Sequence, residues 1–443
     1  MSTADLPRLN RFTVEQSERS TFRWGIGIWL LILASFLSVR KRDASELMSN
    51  SGIDLQIKLQ ILAWVILGAI ALVMLGTKKS KVKLSLQTPL FWYAIYIFLT
   101  VASTAYSNAP ALTLFRSGQL VIMLLLILSM QEILAEKFHV FVLVFLAINW
   151  LLVIMANTGF DLGQEWVRGP GNIFCLRNRE SLEPWRFSSP IAHASQVSIV
   201  GAASAVGLST RITKENVSKL APVVLFIALT VILTISRTAI ASMFGGFFVV
   251  AFLRKQWIAM ILVMGILIPI AIMFTPVGEK VIKFGMRGQS VEEFNSLTGR
   301  SEIYDLGLQR AKEALPLGEG FVAGRAQAIV AKSKGDSIVH SHNLFIESAV
   351  GMGILGVISA AMVLISLALA LLKVIRLAPN PTGISPGWEP AVMSLPLFGF
   401  CILDRGFAAP VAPFVFLFAA VLTMTAQLLA TPARTSLQTR VGN

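Results

Sequence analysis

The sequence predicts an all-α polytopic membrane protein with about twelve spanning helices and one large helical loop outside the membrane. Three observations predict it. Of the 443 residues, 55% are hydrophobic and only 14% are charged, with a mean hydropathy of +0.71. A soluble chain of this length needs far more polar surface to cover its core. Apolar runs of about 17–25 residues, the length of a helix that crosses a bilayer, recur throughout. Basic residues cluster between these runs. A membrane β-barrel would instead show runs of about 10 residues alternating in polarity.

Taken in order, residues 1–21 form a polar cytoplasmic tail, and 22–275 hold nine spans: 22–38, 55–75, 88–105, 112–130, 138–155, 190–208, 218–235, 238–253 and 257–275. The first run follows a long polar leader without a small-residue cleavage site, so it reads as a retained anchor. Residues 276–341 form a large outer loop. Three further spans (342–372, 391–404 and 407–430) occupy 342–430, and 431–443 form a cytoplasmic tail. No repeat relates the two halves.

The orientation comes from the basic stretches. "KKSKVK" (78–83), "RITKENVSK" (211–219), "RK" (254–255) and the basic pair within 373–376 all fall on one side, together with the C-terminal "PARTSLQTR". Short cytoplasmic loops carry such an excess. "RKRD" at 40–43 falls outside and departs from the rule. This placement also explains the net charge of +14 without a nucleic-acid partner, which calls for one basic face. The two cysteines, Cys175 and Cys401, form no disulfide framework.

Two long loops then face outward, 156–189 and 276–341. Within the second, "LTGRSEIYDLGLQRAKEAL" has helical spacing, with Ile303, Leu306 and Arg310 on one side and Arg300, Tyr304 and Leu308 on another. Thr298 or Gly299 can cap its start, and Pro316 with Gly318 ends it.

Three outer places gather chemistry. Arg237, in "TISRTAIASMFGG", separates two apolar runs with almost no loop. It suits either a snorkelling side chain or a functional cation, and outer helix ends are where the positive-inside bias least often puts an arginine. Arg300 opens the loop helix, where a merely solvated arginine is also common. His342 and Asn343 open the tenth span, with Glu347 four residues after Asn343 on the same helical face. Ala349, Gly353 and Gly356 follow as small residues that permit close helix packing. A histidine that only caps a helix is the alternative there. Arg405, beside Asp404, is a further outer charge that equally suits an internal ion pair.

Metal chemistry finds little support. His340 and His342 would point apart in a helix, and no third ligand is near in sequence. The chain has no D-x-D pair, P-loop or G-x-S-x-G, so no cofactor is expected. Two arginines and a histidine suit an anionic substrate. Arginine offers phosphate a planar fork, and histidine titrates near neutral pH. A lipid tail, a diphosphate and an outward-facing glycan fit that arrangement.

"SRTA", "LTGRSEIYDLGLQRAKEALPLGEGF" and "HSHNLFIESAVGMGILG", in that order around one large outer loop, resemble the O-antigen ligase and polymerase superfamily of bacterial envelope proteins. The resemblance covers roughly residues 218 to 372, with "RFSSPIAHASQ" (186–196) as a weaker element. It implies a GT-C-like fold and metal-free glycan transfer at the periplasmic face of the inner membrane. The donor is a glycan on undecaprenyl diphosphate. The acceptor is lipid A–core for a ligase, or a second lipid-linked glycan for a polymerase of O-antigen or exopolysaccharide. The family's two arginines carry over to Arg237 and Arg300 and its histidine to His342, whereas His340 does not match it; the expected roles are the diphosphate for the arginines and the acceptor hydroxyl for His342, and the residues themselves add Asn343, Glu347, His340 and Arg405 as candidate substrate contacts. The expectation leans to a ligase in lipopolysaccharide biosynthesis. A twelve-helix transporter is the rival class, though transporters of that size usually show related halves and midplane sites.

Overall fold

The computed structural model describes residues 55–77, 85–158, 164–168, 174–178, 194–213, 215–234, 236–254, 300–323, 341, 343–377, 388–404, 406–408 and 413–430. The expected spans 22–38 and 257–275, both tails and much of the loop 276–341 lie outside them.

Among the described residues the chain is helical apart from one antiparallel hairpin. Its helices are α1 (Leu55–Thr77), α2 (Pro89–Ala102), α3 (Pro110–Ser129), α4 (Gln131–Thr158), α5 (Ala194–Ser209), α6 (Val217–Leu233), α7 (Arg237–Leu253), α8 (Arg300–Ala314), α9 (Leu344–Leu377), α10 (Glu389–Leu403) and α11 (Pro413–Ala430). The hairpin, β1 (Gln164–Arg168) with β2 (Phe174–Asn178), lies in the connection between α4 and α5. Five stretches are long and apolar enough to cross a membrane: Lys58–Gly76, Pro89–Tyr106, Pro110–Ser129, Lys137–Ile154 and Leu344–Lys373. α5, α6, α7, α10 and α11 fall on other expected spans with apolar stretches of 10–17 residues.

Which helices are central follows from their composition. α11 is apolar on every side, and its side chains from Phe414 to Thr425 are buried, as a helix without a polar face must be. Phe141, Phe145 and Phe416 stack between α4 and α11, with centroids 5.4–6.2 Å apart. Tyr93 and Tyr96 of α2 meet Phe407 edge-on. α5 is rich in Ala, Ser and Gly, which lets its neighbours approach closely. Its Gly201 lies against Val231 of α6, its Gly207 against Met393 of α10, and its Val206 against Gly246 of α7. On α1, α6 and the long leg of α9, large apolar side chains such as Leu72, Phe226 and Leu369 remain exposed, as a lipid-facing surface requires.

The direction of each helix follows from these contacts. α1 runs parallel to α3, with Gly68 beside Ile122 and Met74 accepting from Ser129 Oγ. α7 runs antiparallel to α10, with Gly246 beside Pro396 and Ser242 beside Gly399. The helix ends that flank the basic stretches 78–83, 211–219, 254–255 and 373–376 therefore share one end of the bundle. Arg211 meets Glu389 there at 2.5 Å, and Arg254 donates to the carbonyls of Thr210 and Ile212 at 2.8 and 3.2 Å. The starts of α3 and α7 lie at the opposite end.

Two local expectations are corrected. The span expected over 342–372 is not one straight helix. Gly353 has φ +64° and breaks α9 into legs 344–352 and 354–377, so Gly353 serves a break rather than smooth helix packing. A Cβ there would overlap the Pro316 carbonyl. The second correction concerns α8, whose packed stripe is Tyr304, Gly307 and Ala311 against Ile346, Ala349 and Val350. Leu306 and Leu308, expected on its two faces, are 37% and 48% exposed.

Candidate active site

The break at Gly353 leaves backbone groups of α9 without helical partners, and inside a membrane protein these must be satisfied by other protein groups. The segment following α8 supplies them. Glu319 N–H donates to Val350 O at 2.8 Å, Gly320 N–H to Gly351 O at 2.9 Å, and Ile354 N–H to Pro316 O at 3.0 Å. The same segment is held from α2 and α3. Phe321 N–H donates to Ser103 Oγ at 3.0 Å, Thr113 Oγ1 donates to Phe321 O at 3.0 Å, and Asn108 N–H donates to Glu319 O at 3.0 Å. The glycines of "LGEGF" and "VGMGILG" are thus two halves of one joint.

An ion pair closes this joint. Arg310 of α8 reaches Glu319 Oε1 at 2.6 Å and Glu313 Oε2 at 3.2 Å. Burial pushes the Glu319 carboxyl above its ordinary value, while the Arg310 charge pulls it back only in part.

The start of α9 is built with equal care. Asn343 caps it, and its Oδ1 accepts from the N–H groups of Phe345 at 2.9 Å and Ile346 at 3.2 Å. These are donors that a helix start leaves unpaired. Glu347 reaches back one turn and accepts from Ser341 N–H at 2.6 Å and Ser341 Oγ at 3.2 Å. One residue further, Ser348 Oγ donates to Leu344 O at 2.7 Å and lies 3.2 Å from the Tyr96 hydroxyl. Asn343 and Glu347 therefore direct side-chain oxygens to the backbone on either side of position 342. His340, His342 and Arg405 themselves lie outside the described residues.

The two expected arginines occupy matching positions. Arg237 is the first residue of α7 and is half-buried. The α7–α10 register brings it level with Leu403 and the buried Asp404. Arg300 is the first residue of α8. It shares the helical stripe of Tyr304, Gly307 and Ala311 that faces α9, about 10.5 Å along the axis from Gly307. Gly307 is the position of that stripe beside Ser341 and Ile346, and α8 continues from it back to position 300. A cation at a helix start opposes the helix dipole and costs about 0.3–1 kcal/mol. Neither arginine is placed for the sake of its helix. The α7 start lies at the end of the bundle opposite the Arg211–Glu389 pair.

The sequence signalled Arg237, Arg300 and the α9 start through their position between apolar runs. It did not signal Ser341, Gly307, Glu319 or the serines and threonine of α2 and α3, whose roles arise from contacts far apart in the chain. The glycine pairs "GEG" and "GMG" were the available clue to the joint.

These features define a multi-pass helical membrane protein in which Arg237 and Arg300 each begin a helix. Residues 222–361 match the family model described as O-antigen ligase. The match bears out the resemblance to the O-antigen ligase and polymerase superfamily, and its span includes Arg237, Arg300 and the segment from Ser341 to Glu347. No curated protein matches the chain.

Proposed function

We propose that this protein transfers a polysaccharide or oligosaccharide from undecaprenyl diphosphate to an acceptor hydroxyl at the periplasmic face of a bacterial inner membrane, as an O-antigen ligase. The observation that carries this reading is that α7, α8 and α9 begin at or beside Arg237, Arg300 and His342, all within the stretch matched to the ligase family. Helix starts present N–H groups and a positive dipole end to anions. Added arginines make such a place suitable for a diphosphate and costly without one.

In this reading Arg237 and Arg300 hold the diphosphate. They stabilise the charge that grows on it as the anomeric carbon–oxygen bond breaks, the step at which preorganised cations help most. His342 orients the acceptor hydroxyl and takes its proton, and direct displacement inverts the anomeric centre. No metal or nucleotide is required. A general base contributes about 10²–10⁴-fold, which sets the expected cost of His342→Ala.

The test is the surface glycan of a deletion strain complemented with wild type, Arg300→Ala or His342→Ala. Unmodified lipid A–core with accumulated long lipid-linked glycan supports the ligase. Core carrying only single repeat units, or loss of a secreted polymer, assigns the protein to the polymerases that share the donor chemistry. An unchanged glycan profile in the deletion strain would overturn glycan transfer and favour the transporter class. Variants that complement fully would overturn the residue assignment.

A further inference from the structure

The long leg of α9 is enough to cross a membrane by itself. From Ile354 to Lys373 it rises about 30 Å, at about 1.5 Å per residue, which is the thickness of a hydrocarbon core. Lys373 is the first charged residue along it. Ile354 therefore stands where hydrocarbon gives way to headgroups, in the leaflet away from the basic connections. A second marker agrees. α2 and α3 belong to the successive spans Pro89–Tyr106 and Pro110–Ser129. The turn between them meets the segment after α8, since Asn108 N–H donates to Glu319 O and Phe321 N–H to Ser103 Oγ, each at 3.0 Å. A break in the backbone ladder of α9 is also cheaper at this level than within the hydrocarbon.

The end of α8 is tied to the same level. Ile354 N–H donates to Pro316 O at 3.0 Å, and a Cβ on Gly353 would stand 2.7 Å from the Leu317 carbonyl carbon. On either side of Pro316, Leu315 and Leu317 are exposed, Leu317 to 56%. Just past the break, Ile354, Leu355 and Ile358 are exposed as well, Leu355 also to 56%. Single exposed leucines are ordinary. These two adjoin, through the Pro316–Ile354 bond, the lipid-facing belt of a spanning helix. Gln309 and Glu313, which bond to each other at 3.2 Å, lie on the other side of α8.

We propose that the end of α8 rests in the leaflet away from the basic connections, with Leu315 and Leu317 against lipid hydrocarbon beside Ile354 and Leu355. The occupant of this apolar face is the bilayer, as for amphipathic helices that lie partly in an interface. The placement follows from depth alone and holds whether or not the chain transfers a glycan. It ties the helix that begins at Arg300 to the membrane at its far end.

The test is spin-label accessibility in the full-length protein, reconstituted in liposomes of phosphatidylethanolamine and phosphatidylglycerol. Both native cysteines are replaced (Cys175→Ser, Cys401→Ala), and one label is attached at Leu315→Cys, Leu317→Cys, Leu355→Cys or Gln309→Cys. Collisions with oxygen, which concentrates in hydrocarbon, are compared with collisions with a water-soluble nickel complex. The oxygen-to-nickel ratio at Leu315 and Leu317 is expected to match that at Leu355 and to exceed that at Gln309 several-fold. A ratio at Leu317 equal to that at Gln309 puts the end of α8 in water and overturns the proposal. A label shielded from both reagents, with dipolar broadening that grows with the protein-to-lipid ratio, overturns it in favour of a second copy of the chain. If loss of the buried Cys401 thiol impairs folding, a benzophenone photo-crosslinker in place of Leu317, with both cysteines kept, decides. Adducts with phospholipid support the proposal, and adducts with protein alone, or none, overturn it.

Discussion

α7 carries an arginine at each end, and the two are opposite in electrostatic sense. Arg254 caps its C-terminus, where a helix dipole favours a cation, and donates to the carbonyls of Thr210 and Ile212. Arg237 begins the same helix, where the dipole disfavours it. The contrast extends across the bundle. At the basic end Arg211 is matched by the fully buried Glu389, and the charges knit α5, α7 and α10 together. At the other end Arg237 starts α7, and Arg300 likewise starts α8. A charge that stabilises its own fold needs no other explanation. A charge placed against its helix dipole has some other reason for its place, and holding a diphosphate is the role we propose for it.

The sharpest way to break the comparison is to remove the arginine from each end of α7. Arg237→Ala is expected to reduce transfer by about 10²-fold or more per folded molecule, the scale at which loss of a preorganised charge acts. Arg254→Ala is expected to do the reverse. Two part-buried carbonyls lose a charged donor, a destabilisation of about 1 kcal/mol, yet the rate per folded molecule stays near wild type. Donor turnover in proteoliposomes and thermal unfolding in detergent measure both. Equal effects at the two ends would dissolve the distinction.

Glu389 tests the basic end on its own. Glu389→Ala leaves Arg211 at a site built for an ion pair, and removing one partner of a buried pair costs about 3–5 kcal/mol. Arg211 keeps partial access to water, with 23% of its side chain exposed, so the expected loss falls at or below the lower limit. Unfolding of the variant should show it, and a double variant with Arg211→Met should recover part of the loss. No recovery would mean that the carboxylate stabilises the fold through something other than Arg211.

How much of this was legible in the sequence depends on the range of the contacts. Helix positions were readable, because apolar run length and basic punctuation are local properties. Arg237 and Arg300 stood out by position, and the end of α8 was set by Pro316 and Gly318 as expected. The break in α9 was not readable from hydropathy, since both legs are apolar. Its cause is the Pro316 carbonyl and the Glu319 and Gly320 amides, more than thirty residues away. Spacing made α8 a helix but did not say which face packs; the contact uses Gly307 and Ala311 because the partner helix comes too close for larger side chains. Asn343 and Glu347 were seen as polar groups at a helix mouth, and only the coordinates of Ser341, Phe345 and Ile346 give them backbone partners.

Glu319 gives the smallest effect and concerns the joint between α8 and α9. Burial raises its carboxyl pKa in the folded state despite Arg310, so the folded protein holds the proton more tightly than the unfolded chain. The stabilisation this provides is fully present below the ordinary glutamate value and is lost as pH rises through the raised value. The thermal midpoint of the wild type should therefore fall slightly as pH rises from about 4 towards 7, once other carboxylates are subtracted by comparison with Glu319→Gln. That variant keeps an acceptor for Arg310 and lacks the titration, so the difference between the two midpoints should grow with pH in favour of Gln. A difference that grows the other way would mean that the Arg310 charge outweighs burial, and that the joint is held by the ion pair more than by its backbone hydrogen bonds.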